Sequence, residues 1–543
     1  MKVKCEKGSG EEEQQDLYTM APDFGEAGMG MEGEGSGQEI GKGPTGNPRL
    51  KTPNREQMVM LAIDVERLVP RDHSVRAIWE LVGSLDLSGY VVDIKAVEGG
   101  AGRPCWDPRL LISLWIYAYS RGVNSAREIE RLSQHDPAYQ WLVGLEEVNH
   151  HTLSDFRARR KEELSRLFAE LLGVLRAEEL ITLERVTQDG TKIKACASTK
   201  TFKREEKIRE CIRQAEEHIR ELDAVPEEEL SRRKAKARER AARERKENLE
   251  KALGELPKVR AAKSGAKEKK NARVSISDPD ARKMRQADGG YAPSYNVQIT
   301  TDAAHKIIVG VEVTQAGNDY EGLEKGIDGV VENTGEMPKQ VIVDGGYTNA
   351  ENIIAMEKCG IDLIGAFGNQ HEGATACERR GTASEYLPEK FAYDPTSDIY
   401  TCPAGKVLHY VGDEVEGRKI NHKYQAEAAE CMACPHKREC CPKATKRGRP
   451  IMRGELRPEV ASFAAKMEPD EAKEIYKQRG PIAEFPNAWI KDKLGLRQFE
   501  LRGLDKVGTE ALWACLTYNI QQWIRLRWRP RLAIQLTACA RDA

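Results

Sequence analysis

From about residue 56 to residue 178, apolar and polar positions recur at helical spacing. Pro108 opens a strongly apolar segment, PRLLISLWIYAYSRG, which Gly122 closes. That is the order in which helices favour these two residues. The next segment, NSAREIERLSQHDPAYQWLVG, offers Ser125 as N-cap. HTLSDFRARRKEELSRLFAELLGVL follows, with Thr152 as N-cap and Asp155 three residues on, a capping-box pattern. On this reading Arg157, Arg159 and Arg160 lie in the first turns of one helix. Short helices joined by tight turns, one basic in its N-terminal half, suit a helix-turn-helix-like DNA reader. They suit an ordinary bundle with solvated arginines equally well.

The pattern then changes period. Residues 181–195, ITLERVTQDGTKIKA, read as a strand, a turn at Asp189-Gly190 and a second strand. Residues 203–271 are dominated by Lys, Arg and Glu, with Ile208, Ile212 and Ile219 on one face and Pro226 between two charged helices. A solvent-exposed helical hairpin laced with i,i+4 ion pairs accounts for most of these charges; a DNA-backbone clamp using Arg232 to Lys236 is the functional rival. Strand alternation returns at 295–315, as two paired strands around Asp302-Ala303-Ala304-His305. A helix is expected over about 320–333, then the buried strand Val341-Ile342-Val343 ending in Asp344-Gly345-Gly346, a helix from Asn349 and a strand at 361–367. This is an α/β core with insertions. Residues 371–454 interrupt it with short segments, turns and cysteines, and three helical segments close the chain.

Composition removes several function classes. The chain has 543 residues, too many for one hydrophobic core. The longest apolar run, Leu110 to Tyr119, is too short to span a bilayer. The start, MKVKCEKGSGEEEQQ, has no apolar stretch for a signal peptide, so the expected compartment is the cytoplasm and the thirteen cysteines are expected to be reduced. Residues 1–55 are acidic and Gly-rich with few aliphatic side chains, which predicts a disordered tail. The net charge of -2 averages 85 basic and 87 acidic groups that are unevenly placed, so only local charge is informative.

Four groups of residues could carry chemistry. Asp189 and Asp344 each follow an apolar strand and precede glycine; two such carboxylates on adjacent strands can hold a divalent metal, although Asp-Gly is also a common turn pair. Tyr476, Arg479, Glu484 and Lys491 lie in one helical region beside Trp489, an acid for metal and cations for phosphate. Cys402, Cys431, Cys434 and Cys440 supply an all-cysteine ligand set for structural Zn2+ built on a C-x2-C pair, with Cys441 or His436 as substitutes. Arg447-Gly448-Arg449-Pro450 resembles a minor-groove hook, and IRLRWRPRL near the C-terminus is basic. A charged linker and a solvated helix end explain these two as well.

Taken in order, these segments resemble the DDE transposases of bacterial insertion sequences, in the superfamily of the insertion-sequence-four and -five groups, subgroup with a cysteine-rich insertion. The resemblance rests on GRPCWDPRLLISLWIYAYSRGVNSAREIERL, HTLSDFRARR, TQDGTKIKACAS, DPDARKMRQADGGYAPSYNVQITTD, VIVDGGYTNAENI and YKQRGPIAEFPNAWIKDKLGLRQFELRGLDKVGTEALWACLTYNI, which together cover most of 57–525. It implies an RNase H-like catalytic core with Asp189, Asp344 and Glu484 as ligands of Mg2+ (or Mn2+). The family signature Y-(2)-R-(3)-E-(6)-K is met by Tyr476, Arg479, Glu484 and Lys491, except that four residues separate Arg479 from Glu484. Glu474, Glu500 and Glu510 are therefore rivals; Glu484 is preferred because it precedes Pro486, near an expected helix start. The implied organisation is an acidic tail (1–55), a helical DNA-binding domain (56–178), a core assembled from 179–202, 272–370 and 455–535, a charged helical insertion (203–271) and the cysteine-rich insertion (371–454). The implied partners are the element's inverted repeats and target DNA, bound by a homodimer on the nucleoid, with no membrane. Two rivals are an RNase H-like nuclease that never joins strands and a DNA-binding relative with a dead core.

Overall fold

The segment ITLERVTQDGTKIKA forms one strand, β1 (Arg185–Lys194), which runs straight through Asp189 and Gly190. The turn expected there does not form, because the ladder forbids it. Every residue from Val186 to Lys194 is matched antiparallel to the strand Tyr291–Asp302, with Asp189 opposite Ile299 and Gly190 opposite Gln298. The computed structural model describes residues 58–542 apart from 59, 61, 93, 95, 98, 100–103, 224–231, 368–380 and 443–446. The expected disordered tail, Pro226 and the first residues of the cysteine-rich segment lie outside the described residues.

Strands β2 (Arg282–Arg285), β3 (Tyr291–Asp302), β4 (Ile308–Thr314), β5 (Gln340–Val343) and β6 (Asp362–Gly365) complete the sheet. Its order is β2–β3–β1–β5–β6, with β4 also beside β3. β1 is antiparallel to β3 and parallel to β5, and β5 is parallel to β6. The hairpin β3–β4 turns at the expected residues. Asp302 anchors it, accepting from Ala304 N on one oxygen (3.0 Å) and from Leu183 N on the other (2.8 Å). A mixed sheet with parallel strands on one side needs cover on both faces, and helices supply it.

The N-terminal helices are α1 (Ser74–Gly83), α2 (Pro108–Ser120), α3 (Ala126–Ser133), α4 (Pro137–Val143), α5 (His150–Arg159) and α6 (Lys161–Ala177). Two segments read as single helices are each split. Asp136 accepts from Ala138 N (2.9 Å) and starts a new helix at Pro137. Asn149, not Thr152, caps α5, accepting from His151 N at 2.7 Å. The arginines 157 and 159 thus fall in the last turn of α5, with Arg160 at the break before α6.

The charged segment is a helical hairpin, α7 (Glu205–Asp223) and α8 (Arg232–Ala261). Ile208, Cys211, Ala215, Leu249, Ala252 and Leu256 are buried along it. Ion pairs such as Arg209–Glu205 (2.8 Å), Arg243–Glu239 (2.5 Å) and Arg260–Glu205 (2.6 Å) line its exterior. Helices α9 (Gly322–Thr334) and α10 (Ala350–Lys358) follow the core strands as expected.

The cysteine-rich segment is more regular than its sequence suggested. It builds a second, antiparallel sheet from β7 (Ala392–Asp394), β8 (Ile399–Thr401), β9 (Val407–Glu416), β10 (Lys419–Ala426) and β11 (Pro450–Leu456). Phe391, Leu408, Tyr424, Ala426 and Ile451 form its small core. The chain returns through α11 (Pro458–Lys466), α12 (Asp470–Lys477), α13 (Arg479–Asp492) and α14 (Leu504–Trp523). Helix α13 packs on β1 and β3, and α14 packs on β4, α2 and α6. No described helix is long and apolar enough to cross a membrane.

Candidate active site

Sheet register brings the two aspartates together. Val186 pairs with Val341 and Thr187 with Ile342 in the parallel ladder between β1 and β5. Continued by two residues, that register sets Asp189 beside Asp344. β5 ends at Val343, so Asp344 stands on the loop just beyond its strand, while Asp189 lies within its own. Burial is the main cause that pushes the Asp189 carboxyl up to about 6; Arg479 pulls it down, and the negative charges of Asp344 and Asp319 push it further up.

The loop after Asp344 is tightly laced. Asp344 Oδ1 accepts from Gly346 N (2.8 Å). Thr348 Oγ1 donates to Gly345 O (3.0 Å) and Ala366 O (2.8 Å). Asn349 and Asn352 both donate to Tyr320 O, at 2.8 and 2.9 Å. Arg418, at the tip of the β9–β10 hairpin, donates to the carbonyl and the hydroxyl of Thr348 and lies 4.8 Å from the Phe367 ring. The second sheet therefore reaches the loop that carries Asp344.

Helix α13 crosses above Asp189. Asn487 Nδ2 donates to Asp189 Oδ2 at 3.0 Å. Arg479 Nη1 lies 3.6 Å from Asp189 Oδ1. Lys491 is half-buried; burial and Arg497 lower its pKa, and the Asp189 charge opposes that. Residues 483, 487 and 491 share a stripe of this helix. Had three residues separated Arg479 from the acid, the acid would occupy position 483, which is a buried alanine. The extra residue turns Glu484 about 100° further round the axis. Glu484 is exposed, and no hydrogen bond or ion pair among the described residues involves it. It also sits in the second turn of α13 rather than near its start, since the helix begins at Arg479 and continues through Pro486. Among the described residues, no three His, Cys, Asp or Glu side chains already stand at metal-binding spacing.

The rivals for the third acid are placed as follows. Glu510 is fully buried and accepts from Glu500 N (3.1 Å) and Leu501 N (2.9 Å), so it ties a loop to α14. Glu474 is paired with Lys477 at 2.5 Å on α12.

Two residues expected to touch DNA, Arg157 and Trp489, make contacts within the protein. Arg157 is 4% exposed, donates to Asn124 O (2.7 Å) and Tyr119 Oη (3.3 Å), and lies over Trp115 at 4.5 Å. Its positive charge opposes the upward shift that burial gives the Glu510 carboxyl. Trp489 donates to Gln521 Oε1 (2.6 Å) and packs on Phe485 and Tyr518, so its ring is held between helices. Arg159 is exposed with a 3.4 Å ion pair to Asp155, Arg160 is paired with Glu163 at 3.4 Å, and Tyr476 is half-buried three residues before Arg479. Arg527 and Arg531 of the basic C-terminal stretch hold Glu178.

Sequence reasoning missed Asn487 and Asp319. Asn487 had a signal, its helical spacing between Arg479 and Lys491. Asp319 had none, because only the fold brings its loop to β1. Its Oδ1 accepts from Asn296 Nδ2 (2.8 Å) and Gln298 Nε2 (2.7 Å). A Cβ on Gly190 would stand 2.1 Å from that oxygen. Glycine follows Asp189 to admit this carboxylate, not to make a turn.

The donor set suits a hard divalent cation. Asp189, Asp344 and Glu484 offer oxygen only. Two buried polar atoms beside Asp189, Arg479 Nη1 and Asn487 Oδ1, have no hydrogen-bond partner among the described residues, as expected where a ligand or its water completes the site.

Two family models match the chain. One, described as a Transposase DDE domain, covers residues 401–524. The other, described as a Transposase domain (DUF772), covers residues 63–159. The first includes the second sheet from the end of β8 through α13 and α14; Asp189 and Asp344 lie outside both. A search of the curated proteins finds no match.

Proposed function

We propose, from the matches to two transposase models over residues 63–159 and 401–524, that the chain is a DDE transposase of the insertion-sequence-four/five type that cuts and joins the ends of its own element. A helical N-terminal region and a mixed α/β core are consistent with that fold. The observation that carries the reading is the register that sets Asp189 beside Asp344, with α13 laid across them through Asn487 and Arg479.

Asp189, Asp344 and Glu484 would hold Mg2+ or Mn2+. When bound, such ions supply a polarised water and charge stabilisation for in-line phosphodiester cleavage. The chain's own groups do the rest. Asn487 fixes the orientation of the Asp189 carboxylate. Arg479 and Lys491 place positive charge beside it, where a DNA phosphate is to be held. Glu484, on the exposed side of α13, would supply the third carboxylate. Arg159, Arg160 and Tyr476 are candidates for contacts to flanking DNA, with two copies of the chain serving the two ends.

The test uses the full chain, Mg2+ and duplexes carrying the element's ends. Wild type is expected to release 3′-hydroxyl ends and to join them to target DNA. Asp344→Asn and Glu484→Gln are each expected to lose cleavage by at least about a hundredfold while retaining end binding. Full cleavage by Glu484→Gln would remove it from the site. Cleavage without joined products would favour a purely hydrolytic nuclease.

A further inference from the structure

Five cysteines of the second sheet take no part in the site above. Cys402, Cys431, Cys434, Cys440 and Cys441 line one cavity of about 30 Å3 at the end of the β9–β10 hairpin. That space is far too small for an organic ligand and is of the size of a single water or ion. We infer that this cavity is a structural zinc site formed by Cys402, Cys431, Cys434 and Cys440.

Three observations on different atoms support it. First, two backbone amides already donate to sulfur: Lys406 N to Cys402 Sγ and Arg449 N to Cys431 Sγ, each at 3.3 Å. Such bonds stabilise thiolates better than thiols. Secondly, Lys406, Lys437, Arg447 and Arg449 line the same cavity. Four thiolates around Zn2+ carry a net charge of about −2, which these basic side chains would offset, although Lys406 is also paired with Glu430 at 3.4 Å. Thirdly, Cys402, Cys431 and Cys440 pack against the sheet core of Leu408, Tyr424, Ala426 and Ile451, so a metal there would staple three separate chain segments to a core too small to be stable alone.

The same packing chooses among the candidates. Between the adjacent pair, Cys440 packs in that cluster and Cys441 does not; Cys434 is assigned by its C-x2-C spacing from Cys431. His436 is turned to Glu439, with Nδ1 3.5 Å from the carboxylate. The thiols do not stand at ligand spacing among the described residues, although all of them line the one cavity.

A catalytic part for this zinc is unsuited to its place. The paired positions from Leu408–Ala426 to Glu416–Lys419 separate the cavity from the hairpin tip at Arg418 by roughly 25 Å. All four ligand positions would be protein thiolates, leaving no site for water.

The experiment measures zinc by elemental analysis in the full chain, purified under reducing conditions without added metal. About one zinc per chain is expected, and four thiols should resist a thiol reagent until a chelator is added. Cys434→Ser should lose most of the zinc, and Cys441→Ser should keep it. A variant that fails to fold leaves the wild-type stoichiometry and thiol count to decide. The inference is overturned if wild type contains no zinc and chelator-treated protein takes up none when zinc alone is returned. It is equally overturned if Cys434→Ser retains full zinc, or if Cys441→Ser loses it while Cys440→Ser does not. These readouts do not involve DNA cleavage, so they stand whether or not the transposase reading holds.

Discussion

Asp189 shows what a half-buried carboxylate costs its fold. Its carboxyl, ordinarily near 3.8, is held at about 6 by burial and by the neighbouring Asp344 and Asp319, against the pull of Arg479. The folded chain therefore binds this proton more tightly than the unfolded chain does. The associated stability is fully present below about pH 4 and is lost as pH rises towards 6. The distance between those two values corresponds to roughly 3 kcal/mol. Asp189→Asn keeps an oxygen for Asn487 and removes the charge. In metal-free protein it should raise the melting temperature at pH 8 and leave it unchanged at pH 4, while abolishing cleavage. Thermal melts at the two pH values check this; equal shifts at both would mean that the charge is not the cause.

At the scale of elements, α14 serves as the joint between the helical region and the sheet. Asn519 on this helix treats β4 as a strand partner would: its Oδ1 accepts from Ile308 N (2.9 Å) and its Nδ2 donates to Ile308 O (2.8 Å). Tyr518 adds a bond to Lys306 O at 2.7 Å. Both bonds of Asn519 are buried, so removing them leaves an amide and a carbonyl unsatisfied. Asn519→Leu is expected to cost about 2–6 kcal/mol, from two groups at roughly 1–3 kcal/mol each. Urea denaturation measures it; a loss below about 0.5 kcal/mol would show that β4 finds other partners. The same element-scale logic explains α13. One extra residue between Arg479 and Glu484 leaves Asn487 facing Asp189 and the acid on the open side of the helix.

On the scale of the whole molecule, a side chain of the second sheet reaches the loop that carries Asp344. Arg418 grips Thr348, four residues after Asp344, and the half-buried guanidinium also lies on Phe367. Removing it frees the loop without touching Asp344 itself. Displacements of about 1 Å around reacting groups can lower rates by up to a hundredfold. Arg418→Ala should therefore reduce Mg2+-dependent cleavage at least tenfold, with end binding and metal content of the cysteine cavity unchanged. A cleavage assay run beside a binding assay decides it; unaltered cleavage would make the second sheet a passenger rather than a brace.

Local pattern by itself determined most elements. Pro108 and Gly122 bounded α2, Asn349 began α10, the β3–β4 hairpin turned where its residues required, and the charged segment became a hairpin with Ile208 buried and Ile212 packed beside it. These outcomes depend on periodicity and caps, which are carried by neighbours in sequence. Ordered motifs also singled out Asp189 and Asp344. Tertiary structure decided the rest. The ladder with β3 overrode the turn propensity of Asp189-Gly190. Packing over Trp115 and hydrogen bonds to Asn124 O and Tyr119 Oη hold Arg157 inside, although the local sequence read as a basic surface. The second sheet was hidden because its strands pair across a segment whose cysteines and turns dominate the local signal. Asp319 reached β1 only because a glycine left room for it. Contacts between residues distant in sequence have no local signature, and in this chain they are what assembles the site.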